Sequence, residues 1–188
     1  MSHLKRAREV FDVELAAVKA VRGRLNTTFD KAVALITYAL ANRNKLVVVG
    51  VGKSGNIGRK IAATFTSTGA PAVLLDSVDA LHGDLGILND GDIVLALSYS
   101  GETDELIDLL PAMKRFSVRV IAITSAPKST LGKPADVVLN VKVPKEACPF
   151  NMAPTASTTA SLVMGDALSM AVLDASGFKT VSYTHLRA

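Results

Sequence analysis

The sequence predicts an α/β domain: a doubly wound, five-stranded parallel sheet flanked by helices, a three-layer sandwich of the flavodoxin-like or Rossmann-like kind. Three observations predict it. Short runs rich in Val, Ile and Leu recur without the polar/apolar alternation of a sheet that has one wet face, so they read as strands buried on both sides. Segments with helical spacing lie between them, which is the βαβ pattern. Several runs end in glycine-rich or hydroxyl-rich turns, at the place where such sheets present their ligand loops.

The first 43 residues carry two helices. Phe11, Leu15, Val18 and Val21 recur at helical spacing, Gly23 interrupts, and Asn26-Thr27-Thr28 caps a second helix bearing Phe29, Val33, Ile36 and Leu40. The strands are then expected at Leu46 to Val51, Ala72 to Leu75, Asp92 to Ser98, Val118 to Thr124 and Val137 to Val141. Helices are expected at Asn56 to Ser67, Glu102 to Arg115, Ser129 to Lys133 and Thr155 to Ala175. No internal repeat or low-complexity linker divides the chain. Residues 1–178 therefore read as one domain and 179–188, ending VSYTHLRA, as a disordered or foreign tail.

Bulk properties exclude several function classes. A chain of 188 residues buries roughly 70% of its unfolded surface, enough for a real core. With 49% hydrophobic and 20% charged residues and no apolar run near the roughly 18 residues of a bilayer span, the expectation is a soluble protein without membrane contact. The start, MSHLKRAREVF, has no apolar signal core, and one cysteine, Cys148, fits a reducing compartment, so a cytoplasmic location is expected. The net charge of +4 is spread along the chain without interleaved aromatics, which argues against nucleic acid.

The loop GVGKSGNIG holds G-x-G-x-x-G as Gly50, Gly52 and Gly55. A nucleotide-triphosphate loop would need glycine at position 47, which is Val47. A dinucleotide site fits better, because strand two ends in Asp76, about twenty residues on, where an acidic group could meet a ribose. The plain alternative is that these glycines only end a strand and let a helix pack closely.

Other loops point away from a dinucleotide. LSYSGETDE places Ser98, Ser100, Gly101 and Thr103 at a helix start, and APTASTTASL places Thr155, Ser157, Thr158 and Thr159 at another. Hydroxyls beside the unpaired N–H groups of helix N-termini suit a phosphate dianion, although Ser100 could equally be an ordinary N-cap. With Lys53 on the first loop, the set describes a pocket for a small phosphorylated polyol.

On these residues the chain resembles a known family. VVVGVGKSGNIGRKIAATF, HGDLG, SYSGETDE and KVPKEACP with APTASTTASLVMGDAL are similar to the sugar isomerase (SIS) domain of arabinose-5-phosphate isomerases, over about residues 3 to 178. The resemblance implies interconversion of D-ribulose 5-phosphate and D-arabinose 5-phosphate, which supplies Kdo for lipopolysaccharide or capsule, by homotetramers that share sites between subunits and need no cofactor. It implies that Ser98, Ser100, Gly101, Thr103 and Ser54 hold the phosphate; the loop readings add Gly52, Thr155, Ser157 and Thr158 as substrate-binding candidates. It assigns chemistry to Lys53, Glu105 and Glu146, with His82 beside the sugar and Gly69-Ala70 near it. Those residue types suit the reaction. Proton exchange between C1 and C2 needs a base, Glu146 or Glu105, and a donor or orienter, His82, while Lys53 can steady enediolate or phosphate charge. Read without the resemblance, Glu105 is equally a first-turn carboxylate favoured by the helix dipole, and Glu146 and Lys53 ordinary surface charges.

The chain departs from that family in two places. Relatives continue past the long helix into a segment with S-H-P-G-G and usually a pair of CBS domains, whereas here Arg187 takes the histidine's position and His185 lacks the expected neighbours. Weakened turnover with retained sugar-phosphate binding is therefore expected. At Asp76 some relatives carry a metal-binding histidine, and an aspartate there without a second assured ligand makes only a weak metal candidate. The rivals are a non-catalytic sugar-phosphate-binding module and an NAD-dependent dehydrogenase, the latter gaining nothing from Ser98 and Ser100.

Overall fold

A computed structural model describes residues 2–81 and 83–177. Its sheet consists of β1 (Leu46–Gly50), β2 (Ala72–Leu75), β3 (Ile93–Leu97), β4 (Arg119–Thr124) and β5 (Val137–Asn140). All pairs are parallel and the spatial order is β2-β1-β3-β4-β5, the flavodoxin-like doubly wound order. Alternate strand residues serve opposite faces, and both faces are covered. Leu46, Val48, Ile93, Leu95, Ile121 and Ile123 pack under α1 (His3–Arg22), α2 (Thr27–Ala41), α3 (Gly52–Ser67) and α7 (Ala156–Ala175). Val47, Val49, Val94, Ala96 and Ala122 belong to a second core with α5 (Asp104–Ile107) and α6 (Leu110–Met113), where α4 (Ser77–Leu81) contributes Ala80. Two-sided burial is why the runs show no alternation.

The first two helices follow the expected pattern, with Ser2 capping α1 and Asn26 capping α2 by accepting from Thr28 N at 2.8 Å. Elsewhere the structure corrects the reading. Helix α3 begins at Gly52 rather than Asn56, so Lys53 and Ser54 belong to a helical first turn. The helix expected over 102–115 is two short ones, because Pro111 has no N–H to donate to Ile107 and restricts the residue before it. Residues 129–133 form turns, not a helix. Pro134 follows, and Leu131 N and Thr130 N are drawn to Gly101 O (3.1 Å) and Glu102 Oε1 (2.9 Å). Two elements stand where the sequence pattern predicts loop: α4, and a 3-10 turn at Asp84–Ile87.

Helix α7 also corrects the expectation about apolar runs, since by length and composition it could cross a bilayer. Here it is the central helix of one layer, with Ala156, Ala160, Met164, Leu168 and Val172 buried and Gly165 pressed against the Ile61 side chain of α3.

Candidate functional site

Three chain segments meet at the carboxyl ends of β1, β3 and β5 and enclose a cleft of about 290 Å³. Lys53, Ser54 and Ile57 come from the start of α3, Leu97 and Tyr99 from the end of β3, and Val143 to Glu146, Asn151, Met152, Pro154, Ser157, Thr158 and Ser161 from the last loop and α7.

The glycines explain how α3 reaches the cleft. Gly52 has φ +55, which a side chain rarely tolerates, and a Cβ on Gly55 would stand 2.7 Å from Gly50 O. Strand end and helix start are thus in backbone contact, as the close-packing reading of the loop requires. The N-cap, Val51, offers no side-chain cap to the first N–H groups of this sixteen-residue helix, and Lys53 and Ser54 of its first turn line the cleft. Uncapped N–H groups with a partial positive charge make an anion site.

The opposite wall is irregular, punctuated by Pro144, Pro149 and Pro154 and held by specific bonds. Asn151, at φ +54, accepts from Glu146 N at 2.9 Å through its Oδ1. Arg6 of α1 donates to Ala147 O. Tyr99 ties the end of β3 to this wall, since its hydroxyl accepts from Val143 N at 3.1 Å.

From the loop before α7, the Glu146 side chain reaches the start of that helix. Its Oε2 accepts from Thr155 N (2.8 Å), Thr155 Oγ1 (3.0 Å) and Ser157 N (3.2 Å). Burial opposes its ionisation, but the bonds from Ser157 and Thr155 outweigh it and hold the carboxyl below the usual glutamate value. It is a carboxylate at neutral pH, able to accept a proton. Next to it, the amides of Ala153, Met152 and Phe150 turn toward the Cys148 sulfur and lower its thiol pKa.

The expected residues divide into those the cleft gathers and those it does not. Lys53, Ser54, Glu146, Ser157 and Thr158 line it, and Gly52 and Thr155 hold its two helix starts. Ser98, Ser100, Gly101 and Thr103 form the adjoining turn after β3 and are occupied with one another. The buried Ser98 Oγ is 2.8 Å from Thr103 Oγ1 and accepts from Gly101 N at 3.0 Å, while Ser100 Oγ accepts from Glu102 N at 3.2 Å. Ser100 is not the N-cap of α5, a position Thr103 holds. Glu105 is exposed on α5 outside the cleft lining. Gly69 and Ala70 precede β2, at the other end of the sheet from the cleft. Asp76 follows β2 in a separate acidic hollow with Arg59, Asp79 and Asp84, and no cluster of three metal-ligating side chains occurs among the described residues. His82, His185, Arg187 and the tail 179–188 lie outside the described residues.

The sequence pattern does not single out Tyr99 and Asn151 as site residues. Asn151 carries a signal, standing in a Pro-x-Asn stretch that suits a turn with positive φ. Tyr99 carries none, because its partner Val143 is 44 residues away.

The SIS domain family model matches residues 39–171. Arabinose 5-phosphate isomerase KdsD of Francisella tularensis is 43% identical over 186 residues, 98% of this chain and 57% of that protein. KdsD of Yersinia pestis is 48% identical over 171 residues, 91% of this chain and 51% of that protein. The chain thus spans about half the length of the curated relatives it matches. Among solved structures, a protein of Escherichia coli CFT073 in complex with arabinose 5-phosphate superposes with a TM-score of 0.94 at 32% identity, covering 100% of both chains.

Proposed function

The chain belongs to the SIS domain family, and on that premise we propose that it interconverts D-ribulose 5-phosphate and D-arabinose 5-phosphate by proton transfer through an enediol. The observation that carries the reading is the cleft itself. One wall offers an uncapped helix start with a lysine, suited to phosphate or enediolate charge, and the other an ionised carboxylate held in a fixed orientation. Support comes from the KdsD relatives and from the arabinose 5-phosphate complex of a structure covered end to end.

In this mechanism the sugar phosphate lies between α3 and α7. The α3 N–H groups, Lys53 and Ser54 take anionic oxygen, joined by the hydroxyls of the Ser98–Thr103 turn once they exchange their mutual bonds for the ligand. Glu146 removes the proton from C2 of the aldose and returns it to C1, while the proton of the C2 hydroxyl passes to the C1 oxygen, giving the ketose, and Lys53 steadies the negative charge on the enediolate oxygens. Water is partly excluded by Ile57, Leu97 and Tyr99, which strengthens these charge interactions.

We also propose that the chain works in the cytoplasm, supplies arabinose 5-phosphate for Kdo formation, and self-associates as a tetramer. Leu4, Phe11 and Leu15 on α1 and Phe150 and Met152 beside the cleft are large apolar side chains left exposed, which supports burial against further copies.

A thermal titration tests the ligand class. Saturation at 100 times the dissociation constant stabilises the fold by about 2.7 kcal/mol, so D-arabinose 5-phosphate should raise the melting temperature and NAD should not. A shift with NAD alone would overturn the reading. Binding without any isomerisation would leave a sugar-phosphate-binding module in which Glu146 serves only as a helix cap.

A further inference from the structure

An N-cap threonine ordinarily turns its hydroxyl onto the N2 or N3 amide of its own helix. Thr155, the N-cap of α7, does not. Its Oγ1 accepts from Ala147 N at 2.8 Å and therefore directs its hydrogen elsewhere, to Glu146 Oε2 at 3.0 Å. The N2 amide it would have capped, Ser157 N, goes to the same Oε2 at 3.2 Å, and Thr155 N joins it at 2.8 Å. The capping task has been handed to a glutamate nine residues upstream, and the threonine holds that glutamate.

From this geometry we infer that Thr155 is a positioning residue for Glu146, pinning the carboxylate by Oε2 so that Oε1 is the oxygen that exchanges protons with the sugar. The inference deepens the isomerase reading and rests on it. The bonds from Thr155 N, Thr155 Oγ1 and Ser157 N all end on Oε2, with the Ser157 side chain also bonding the carboxylate, so Oε2 is saturated with donors and cannot double as the base. The residue after Glu146 is held at both of its backbone polar groups, by Thr155 through Ala147 N and by Arg6 through Ala147 O. A carboxylate held at one oxygen and at its backbone has little rotational freedom left, which is what a base needs to meet a carbon-bound proton without reorganisation. The same geometry reassigns the Thr155 hydroxyl. Both its donor and its acceptor roles are used inside the protein, so it serves the base rather than the phosphate.

The test is a titration of the Glu146 carboxyl by carbon NMR on protein labelled with δ-13C glutamate, the signal identified by its loss in Glu146→Gln, together with steady-state kinetics. Thr155→Val removes the hydroxyl and keeps the shape. The Glu146 midpoint is expected to rise by about one pH unit, the scale of losing one hydrogen bond to a charged group. Turnover is expected to fall about tenfold with KM within about twofold, since the step lost is proton transfer and not phosphate binding. Thr155→Ser should restore both. Should Thr155→Val not fold, Thr155→Ala, which adds no atoms, is read the same way. A midpoint unmoved in the variant, a rise in KM without loss of turnover, or Thr155→Ser behaving like Thr155→Val overturns the inference even in a chain that isomerises. A moved midpoint in a protein with no isomerase activity overturns instead the reading on which it rests.

Discussion

The two ends of the sheet are built on opposite principles. At the amino end, polar groups are closed into pairs. Asp92, with its side chain 1% exposed, accepts from Lys45 Nζ at 2.6 Å, Lys45 N at 3.0 Å and Asn89 N at 2.9 Å. Asp90 accepts from Ser117 N, and Asn44 donates to Asp90 O, so the turns on that side are sewn to the strands. At the carboxyl end, α3, α5 and α7 begin without a cap from their own N-cap side chains, whereas α1 and α2 have one. The start of α7 is closed by Glu146 from the preceding loop, so among these it is the start of α3, beside Lys53 and Ser54, that is left ready for a ligand. A satisfied buried group stabilises the fold, while an uncapped helix start keeps a donor for something else.

Substitutions at the two ends should therefore separate activity from stability. The largest effect is expected for Glu146→Gln, which should lower turnover about a thousandfold through loss of the base, with sugar-phosphate affinity held within a few fold in a calorimetric titration. Asp92→Ala should do the reverse. Stranding Lys45 and two amides costs about 3 kcal/mol, seen as a lower denaturant midpoint, with kcat unchanged below the melting transition. Gly101→Ala strikes the border between the two. Its φ is +69 and a Cβ would press on the Ser129 side chain, so about 2 kcal/mol of stability should be lost along with phosphate affinity. Smallest is Ser100→Ala, which removes an exposed turn bond to Glu102 N and should change stability by about 0.5 kcal/mol while raising KM.

Acid should distinguish the ends as well. Burial works against ionisation of both Asp92 and Glu146, yet Lys45 and Asn89 for the first, and Ser157 and Thr155 for the second, hold each below its ordinary value. A depressed carboxyl contributes stability above its unfolded pKa, about 3.9 for aspartate and 4.3 for glutamate, and loses it as pH falls through the lower folded value. In Asp92→Asn the acid-side decline in stability should become shallower while the acid limb of kcat, set by Glu146, stays in place.

The strands are legible in the sequence because burial on both faces leaves a continuous apolar run, and their observed ends differ from the expected ones by a residue or so. The start of α3 is not, because Gly52, Gly55 and Gly58 depress helix propensity, while the positive φ of Gly52 and the close packing of Gly55 and Gly58 call for glycine; a Cβ on Gly58 would stand 3.1 Å from a Val48 methyl. Pro111 is visible, and its missing N–H is what divides the helix over 102–115. In the site, Lys53, Ser54 and Glu146 can be picked out as types suited to phosphate and proton transfer. Their gathering into one cleft depends on loops some ninety residues apart, and no local pattern encodes that. The Thr155–Glu146 bond is the clearest case, since the hydroxyl's two partners, Ala147 N and Glu146 Oε2, lie eight and nine residues away in a loop and no local pattern pairs them.

Proton movement between C1 and C2 of a pentose 5-phosphate is the role proposed for Glu146. Incubating the protein with D-arabinose 5-phosphate in deuterated water and following the sugar by proton NMR tests it directly. The expected products are ribulose 5-phosphate carrying deuterium at C1 and recovered arabinose 5-phosphate carrying deuterium at C2, both abolished in Glu146→Gln. Binding of the sugar with no exchange at either carbon, or exchange that persists undiminished in Glu146→Gln, would contradict it.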